Sequence, residues 1–116
     1  MKNRTPHAIV QAQLDAYNAK DIDALLKCYA QDAELYVLHG DLLAKGHAEI
    51  RPRFETRFAE PDLSAELLNR LVVGTIVIDH EMVTRNFAAG KGSVEMVCVY
   101  EIEDNHIRKA SFFTKA

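Results

Sequence analysis

The sequence lacks the residues that usually mark a metal centre or a disulfide framework. It has no tryptophan, and its two cysteines, Cys28 and Cys98, lie far apart in the chain. Neither has the C-x-x-C or Cys/His spacing of a zinc site or a redox motif. We therefore expect two buried thiols in a reducing compartment, no metal ligands and no cofactor.

Positive charge and long apolar runs are also scarce. Lys and Arg number 14 against 17 Asp and Glu, a formal net charge of -3, whereas a nucleic-acid-binding protein usually presents a basic face. The longest apolar stretch, 71–78, contains Gly74 and Thr75, and residues 1–10 are polar with one proline. We expect no nucleic-acid partner, no signal peptide, no membrane span and a cytoplasmic location.

The residue patterns that are present predict one domain, 1–116, with helices first and strands after. A chain of this length buries about two thirds of its unfolded surface and has room for one pocket. Thr5 with Pro6, and Asp21 before the second helix, are typical of helix starts. Apolar residues at helical spacing predict helices over 6–19, 22–29 and between Gly46 and Glu60. Extended stretches are predicted near 34–39, 64–73, 76–88, 93–102 and 106–114. This order is typical of an α+β domain with helices on one face of a mainly antiparallel sheet.

The turn at Gly74-Thr75 predicts which side chains share a face of the sheet. A two-residue loop pairs strand residues across it, and successive pairs alternate between faces. One face would carry the pairs Val73/Ile76, Leu71/Ile78, Asn69/His80 and Leu67/Met82. The other would carry Glu66, Leu68, Arg70, Val72, Val77, Asp79, Glu81 and Val83. The first face is more apolar, so we expect it to point toward the helices.

Asn69 and His80 are the polar side chains on that first face. One interpretation is that they satisfy each other or the backbone, as buried polar groups usually do. The other is that they project into a cavity, where His80 would transfer a proton near neutral pH. His39, at the end of the first strand, is a second pocket candidate or else a solvated loop residue. A one-residue slip would instead place Asp79 and Glu81 in the pocket.

The second face of this hairpin is expected to be the outer one. Arg70, Asp79 and Glu81 would form cross-strand ion pairs there among apolar neighbours. No further residues remain to cover such a face. We therefore predict a homodimer formed through the outer sheet face.

Several short segments are similar to one known family. They are Tyr17-Asn18-Ala19-Lys20-Asp21, Tyr29-Ala30-Gln31-Asp32-Ala33, Gly46-His47, Asn69-Arg70-Leu71-Val72-Val73-Gly74, Val77-Ile78-Asp79-His80-Glu81 and Tyr100-Glu101-Ile102-Glu103-Asp104. They resemble the nuclear transport factor 2-like superfamily, in its SnoaL-like polyketide-cyclase and ketosteroid-isomerase-related branch. The resemblance implies a cystatin-like cone of three helices wrapped by a curved sheet, with a pocket inside and a dimer through the outer sheet face.

The catalytic residues of the steroid delta-isomerases in this branch are not matched. Those enzymes use an aspartate base on the first strand, and a tyrosine and a protonated carboxylic acid hold the enolate oxygen. Registered on the similar segments, the three positions fall on Val37, Gln13 and Cys98, with Tyr17 one turn after Gln13. Valine cannot accept a proton, so the usual isomerase chemistry is unsupported at these positions.

The predicted site is therefore based on histidine, with His80 as acid/base and Asn69 orienting it or polarising a carbonyl. The predicted ligand contacts are His39, Tyr17, Val37, Met82, Met96, Cys98 and Tyr100. Three functions stay open. The chain is an isomerase, cyclase or hydrolase of a small apolar carbonyl compound, a non-catalytic binder of a small hydrophobic molecule, or a dimeric interaction protein with a filled pocket.

Overall fold

The computed structural model describes residues 4–115 as three helices and six strands. The helices are α1 (Pro6–Ala19), α2 (Ile22–Cys28) and α3 (His47–Phe58). The strands are β1 (Tyr29–Val37), β2 (Leu42–Lys45), β3 (Ser64–Val73), β4 (Ile76–Phe87), β5 (Gly90–Glu103) and β6 (His106–Lys115). The α+β prediction is confirmed, while the predicted domain limits include residues 1–3 and 116, which lie outside the described residues.

The strands form one curved, open sheet in the order β2-β1-β6-β5-β4-β3. Neighbouring strands are antiparallel except β1 and β6, which run parallel. Helix α1 packs on β3 and β4, and α3 packs on β1 and β2. Within residues 4–115 no helix combines the length and the apolar character needed to cross a membrane.

The helices begin where their capping residues are. The Thr5 hydroxyl accepts a hydrogen bond from the Ala8 N–H at 3.0 Å, and the Asp21 carboxylate accepts one from the Ala24 N–H at 3.1 Å. Each bond satisfies a backbone donor that the first turn of a helix leaves free. Lys20, with φ 56, ends α1 in the left-handed region and turns the chain into α2.

The hydrophobic core lies between these helices and the concave face of the sheet. Its fully buried members are contributed by all three helices and by β1, β4 and β6. They include Ile9, Val10, Leu25, Leu35, Ile50, Val77 and Ile107. Burial of these side chains fixes which face of each strand points inward.

The predicted pairing of β3 with β4 is confirmed from the turn to the pair Asn69/His80 and then changes. Beyond that pair a β-bulge at Leu68 shifts the register, so Leu67 pairs with Glu81 and not with Met82. A bulge places one extra residue in one strand, so the inward-facing residues of β3 change parity at this point.

The predicted orientation of this hairpin is wrong. Along β4, Val77, Asp79, Glu81 and Val83 are buried, so the face expected outside points toward the helices. The apolar face turns outward instead, and Leu71 and Val73 on it are 54% and 66% exposed. The more apolar face does not point inward because the charged residues on the other face are paired with each other. This pairing reduces the free-energy cost of burying them.

Candidate functional site

A cavity of about 500 Å³ opens between the helices and the concave face of the sheet. Its volume lies within the range of small-molecule pockets. Much of its wall is aromatic or contains sulfur. These wall residues are Tyr17, Tyr29, Phe54, Met96, Cys98, Tyr100 and Phe112. Such a wall suits a flat, largely apolar ligand.

Glu81 on β4 is the one carboxyl group among the described residues that line this cavity. It is 6% exposed, and its Oε1 lies 3.9 Å from the Cys98 Sγ. Burial, and then the charge of Asp79, raises the pKa of Glu81 to about 7. At neutral pH the group is therefore present in both protonation states, which is what an acid/base needs.

A buried ion pair stands beside Glu81. Arg70 donates from Nε to Asp79 Oδ1 at 2.6 Å and from Nη2 to Asp79 Oδ2 at 2.9 Å. Its Nη1 donates to Gln11 Oε1 on α1 at 2.9 Å. The hydrogen bonds to Asp79 raise the pKa of Arg70. The pair holds the Asp79 carboxyl two residues from Glu81 on the same face of β4, and the charge of Asp79 disfavours the ionised form of Glu81.

Three tyrosines supply neutral hydroxyl groups to the cavity. Burial raises the pKa of Tyr17 to about 12 and those of Tyr29 and Tyr100 well above their ordinary value. The Tyr29 hydroxyl has no hydrogen-bond partner among residues 4–115. Protonated hydroxyls of this kind can donate to a carbonyl oxygen or to the enolate formed from it.

Five of the predicted ligand contacts lie in the wall of this cavity. They are Tyr17, Val37, Met96, Cys98 and Tyr100. The isomerase positions that fall on Gln13, Val37 and Cys98 also line it. Ligand contact by these residues stays a prediction.

The other four predicted site residues are not part of the cavity wall. His80 lies on the outer face, with its side chain 39% exposed and its Nε2 2.6 Å from Glu95 Oε2. Asn69, its cross-strand partner, is exposed. Met82 pairs with Glu95 on that outer face. All three residues lie outside the cavity for one reason, because the hairpin faces opposite to the predicted orientation.

His39 is absent from the cavity for a different reason. It occupies the turn after β1 with φ 57 and borders a second depression of about 370 Å³ beside Tyr36 and Lys109. The strand ends at Val37, so residue 39 does not continue its alternation. The histidine is a turn residue, as the second interpretation of the sequence had it.

The fold and the site define a class of small α+β proteins in which a curved sheet wraps helices around an apolar pocket. Residues 10–110 match the model of the SnoaL-like domain, and the chain belongs to this family. No match to the sequence is found among curated proteins.

Solved structures show the same architecture. A cystatin-fold protein from Novosphingobium aromaticivorans is 27% identical, with 96% of this chain and 99% of that chain covered and a TM-score of 0.89. A putative ketosteroid isomerase from Kribbella flavida is 14% identical, with 96% and 78% covered and a TM-score of 0.82. A hypothetical protein with a ketosteroid isomerase-like fold from Catenulispora acidiphila, in complex with trimethylamine, is 17% identical, with 90% and 83% covered and a TM-score of 0.77.

Proposed function

We propose that this protein binds a small apolar carbonyl compound and moves a proton on it, as an isomerase does, with Glu81 as the acid/base. The observation that carries the proposal is the position of Glu81, a buried carboxyl at the wall of an otherwise largely apolar cavity. Membership in the SnoaL-like family and structural similarity to ketosteroid isomerase-like proteins support a pocket of this type. The reaction needs no metal or organic cofactor.

The proton transfer would proceed in two steps. In the first, the ionised Glu81 carboxylate removes a proton from the carbon next to a carbonyl, and the electron pair moves onto the carbonyl oxygen as an enolate. A neutral tyrosine hydroxyl, from Tyr17 or Tyr100, donates a hydrogen bond to that oxygen. In the second step, protonated Glu81 returns the proton to a different carbon of the conjugated system, which restores the carbonyl and shifts the double bond.

The experiment is deuterium exchange at the carbon beside the carbonyl, followed by NMR in deuterated buffer. The probes are a steroid enone and 1-tetralone-6-carboxylate, an aromatic ketone whose exchangeable carbon lies on the ring opposite the carboxylate. We expect the wild-type protein to accelerate exchange and Glu81→Gln to abolish it while binding of the probe persists. His80→Gln is the matched control and should exchange at the wild-type rate. Loss of exchange in His80→Gln alone would contradict the assignment.

A second function is favoured by the residue at the usual base position. Val37 lines the cavity where the isomerases of this branch carry an aspartate, so the pocket can also serve as a non-catalytic binding site. In that case the wild-type protein binds a probe without accelerating exchange. Glu81→Gln then changes affinity and its pH dependence only.

We also propose that the protein is a homodimer through its outer sheet face. The apolar residues on that face belong to β3, β4 and β5. They include Leu71, Val73, Ile76, Ile78, Val97 and Val99. Leu71 and Val73 are more than half exposed, and apolar patches of this kind mark interaction surfaces. Arg70, Asp79 and Glu81, which the sequence placed in the interface, are excluded from it by their burial.

A further inference from the structure

Arginine side chains from α3 and β4 border the cavity. Arg53 and Arg57 lie one helical turn apart on α3, and Arg85 lies on β4. We call these three residues the arginine rim. The carboxylate that faces the rim is Glu60, which follows α3 in the chain.

Glu60 is hydrogen-bonded to one member of the arginine rim, Arg85. Its two oxygens accept three hydrogen bonds from Arg85, at 2.8, 2.8 and 3.1 Å, and one from the Asn86 N–H at 2.8 Å. The Arg57 Nε lies 3.7 Å from Glu60, which is beyond hydrogen-bond distance. Arg85 thus holds Glu60 through two of its nitrogens, whereas Arg57 makes only the longer ion contact.

The guanidinium groups of Arg53 and Arg57 have unused hydrogen-bond donors. Neither donates a hydrogen bond to another described residue. Arg57 is partly buried, and burial, followed by the charge of Arg85, lowers its pKa. A guanidinium carries five donors in a fork that matches a carboxylate. An anion at this point would receive hydrogen bonds that the protein itself leaves unmade.

The arginine rim and Glu81 lie on different elements of the cavity wall. Arg53 and Arg57 lie on α3, whereas Glu81 lies on β4. Tyr17 belongs to α1, which packs on β4, and its ring centroid lies 6.2 Å from Phe54 and 5.6 Å from Phe58 of α3. A ligand that reaches from α3 to Glu81 is therefore expected to contact the Tyr17 ring.

We propose that the cavity selects an apolar carboxylate, with the anionic group bound by Arg53 and Arg57 and the apolar body running inward toward Glu81. This inference rests on the proposed function and adds to it the substrate class, an aromatic or alicyclic keto acid. The orientation keeps the ligand carboxylate away from the Glu81 carboxylate and presents the opposite end of the ligand for proton transfer.

The test compares two probes of the same shape, the anion 1-tetralone-6-carboxylate and its neutral primary amide. Binding is measured by isothermal titration at low and high salt. Because a hydrogen bond to a charged group is stronger than a neutral one, we expect the carboxylate to bind at least about tenfold more tightly than the amide. Salt should weaken the carboxylate alone. Equal affinities, or tighter binding of the amide, would overturn the inference.

Single substitutions test whether Arg53 and Arg57 cause the preference for the carboxylate. Arg53→Gln and Arg57→Gln should each reduce the affinity for the carboxylate several-fold and leave that for the amide unchanged. Arg51→Gln is the matched control, because Arg51 lies on the same helix and donates to Asp23 at 2.8 Å outside the cavity. If Arg51→Gln weakens carboxylate binding as much as Arg57→Gln does, long-range charge explains the preference and the site is refuted.

The experiments distinguish failure of the carboxylate site from failure of the proposed proton transfer. If the amide binds and exchanges deuterium while the carboxylate does not bind, the arginine site is wrong and the proton transfer stands. If the carboxylate binds through Arg53 and Arg57 without accelerated exchange, the site stands and the isomerase proposal is wrong.

Discussion

Replacing Glu81 by Gln should change how the stability of the protein depends on pH. Burial and the charge of Asp79 raise the pKa of Glu81 from 4.5 to about 7. An acid whose pKa is higher in the folded state binds more protons when folded. The free energy of unfolding therefore falls as pH rises from 4.5 to about 7 and then stays low. At about 1.4 kcal/mol per pKa unit, ionised Glu81 costs the folded state about 3 kcal/mol.

Urea unfolding of the wild type and of Glu81→Gln measures this cost. Gln keeps the size of the side chain and cannot ionise. Between about pH 5 and about pH 8 the difference in unfolding free energy should move by about 2 to 3 kcal/mol in favour of the variant. Part of the full cost is already present at the lower pH because that value lies above the unfolded pKa.

Glu66→Gln is the control for this comparison. Glu66 is an exposed carboxylate on β3, so its replacement makes the same charge change without relieving burial. Its stability curve should run parallel to that of the wild type. If the Glu81→Gln curve also runs parallel, Glu81 is not desolvated and its proposed role as an acid/base loses its physical basis.

The remaining predictions concern ion pairs and assembly. Glu60→Gln should lower stability by about 1 to 3 kcal/mol near neutral pH by breaking the bond to Arg85. Because the pKa of Glu60 is lowered to about 2, this contribution is present above 4.5 and is lost as pH falls toward 2, as urea unfolding at several pH values would show. Asp79→Ala should cost about 3 to 5 kcal/mol by leaving Arg70 buried and unpaired, and the double variant Arg70→Met/Asp79→Leu should recover most of it in thermal unfolding; no recovery would contradict the ion-pair explanation. Leu71→Glu should convert the proposed dimer to monomers in sedimentation velocity with an unchanged circular dichroism spectrum, and a monomeric wild type would exclude the interface.

Local signals in the sequence predicted most of the elements of the fold. The capping residues Thr5 and Asp21 and the turn at Gly74-Thr75 act within a few residues, and each of the corresponding boundaries is found in the structure. Strand β2, four residues long, was missed because it has no apolar alternation of its own and depends on pairing with β1. Such pairing is a tertiary effect that local patterns do not encode.

The sequence prediction and the structure differ at one point, the facing of the β3–β4 hairpin. The apolar content of its two faces favours an outward position for the face that carries Arg70, Asp79 and Glu81. The fold instead buries Arg70 and Asp79 as a bidentate pair, with Arg70 also donating a hydrogen bond to Gln11 of α1, and it leaves the apolar face exposed. An arginine directly opposite an aspartate, next to the valine pair Val72/Val77, is the signal in the sequence that favours this outcome.

The Tyr29 hydroxyl, which has no hydrogen-bond partner in the described part of the chain, affects which ligands the cavity binds most tightly. An unpaired buried hydroxyl costs the folded state about 1 to 3 kcal/mol. A ligand with a hydrogen-bond acceptor next to the Tyr29 hydroxyl recovers this energy, whereas a hydrocarbon ligand does not. The cavity that binds apolar compounds should therefore also discriminate among them by their hydrogen-bond acceptors. Ketones and phenols should displace saturated rings of equal size, whatever the chemistry that follows.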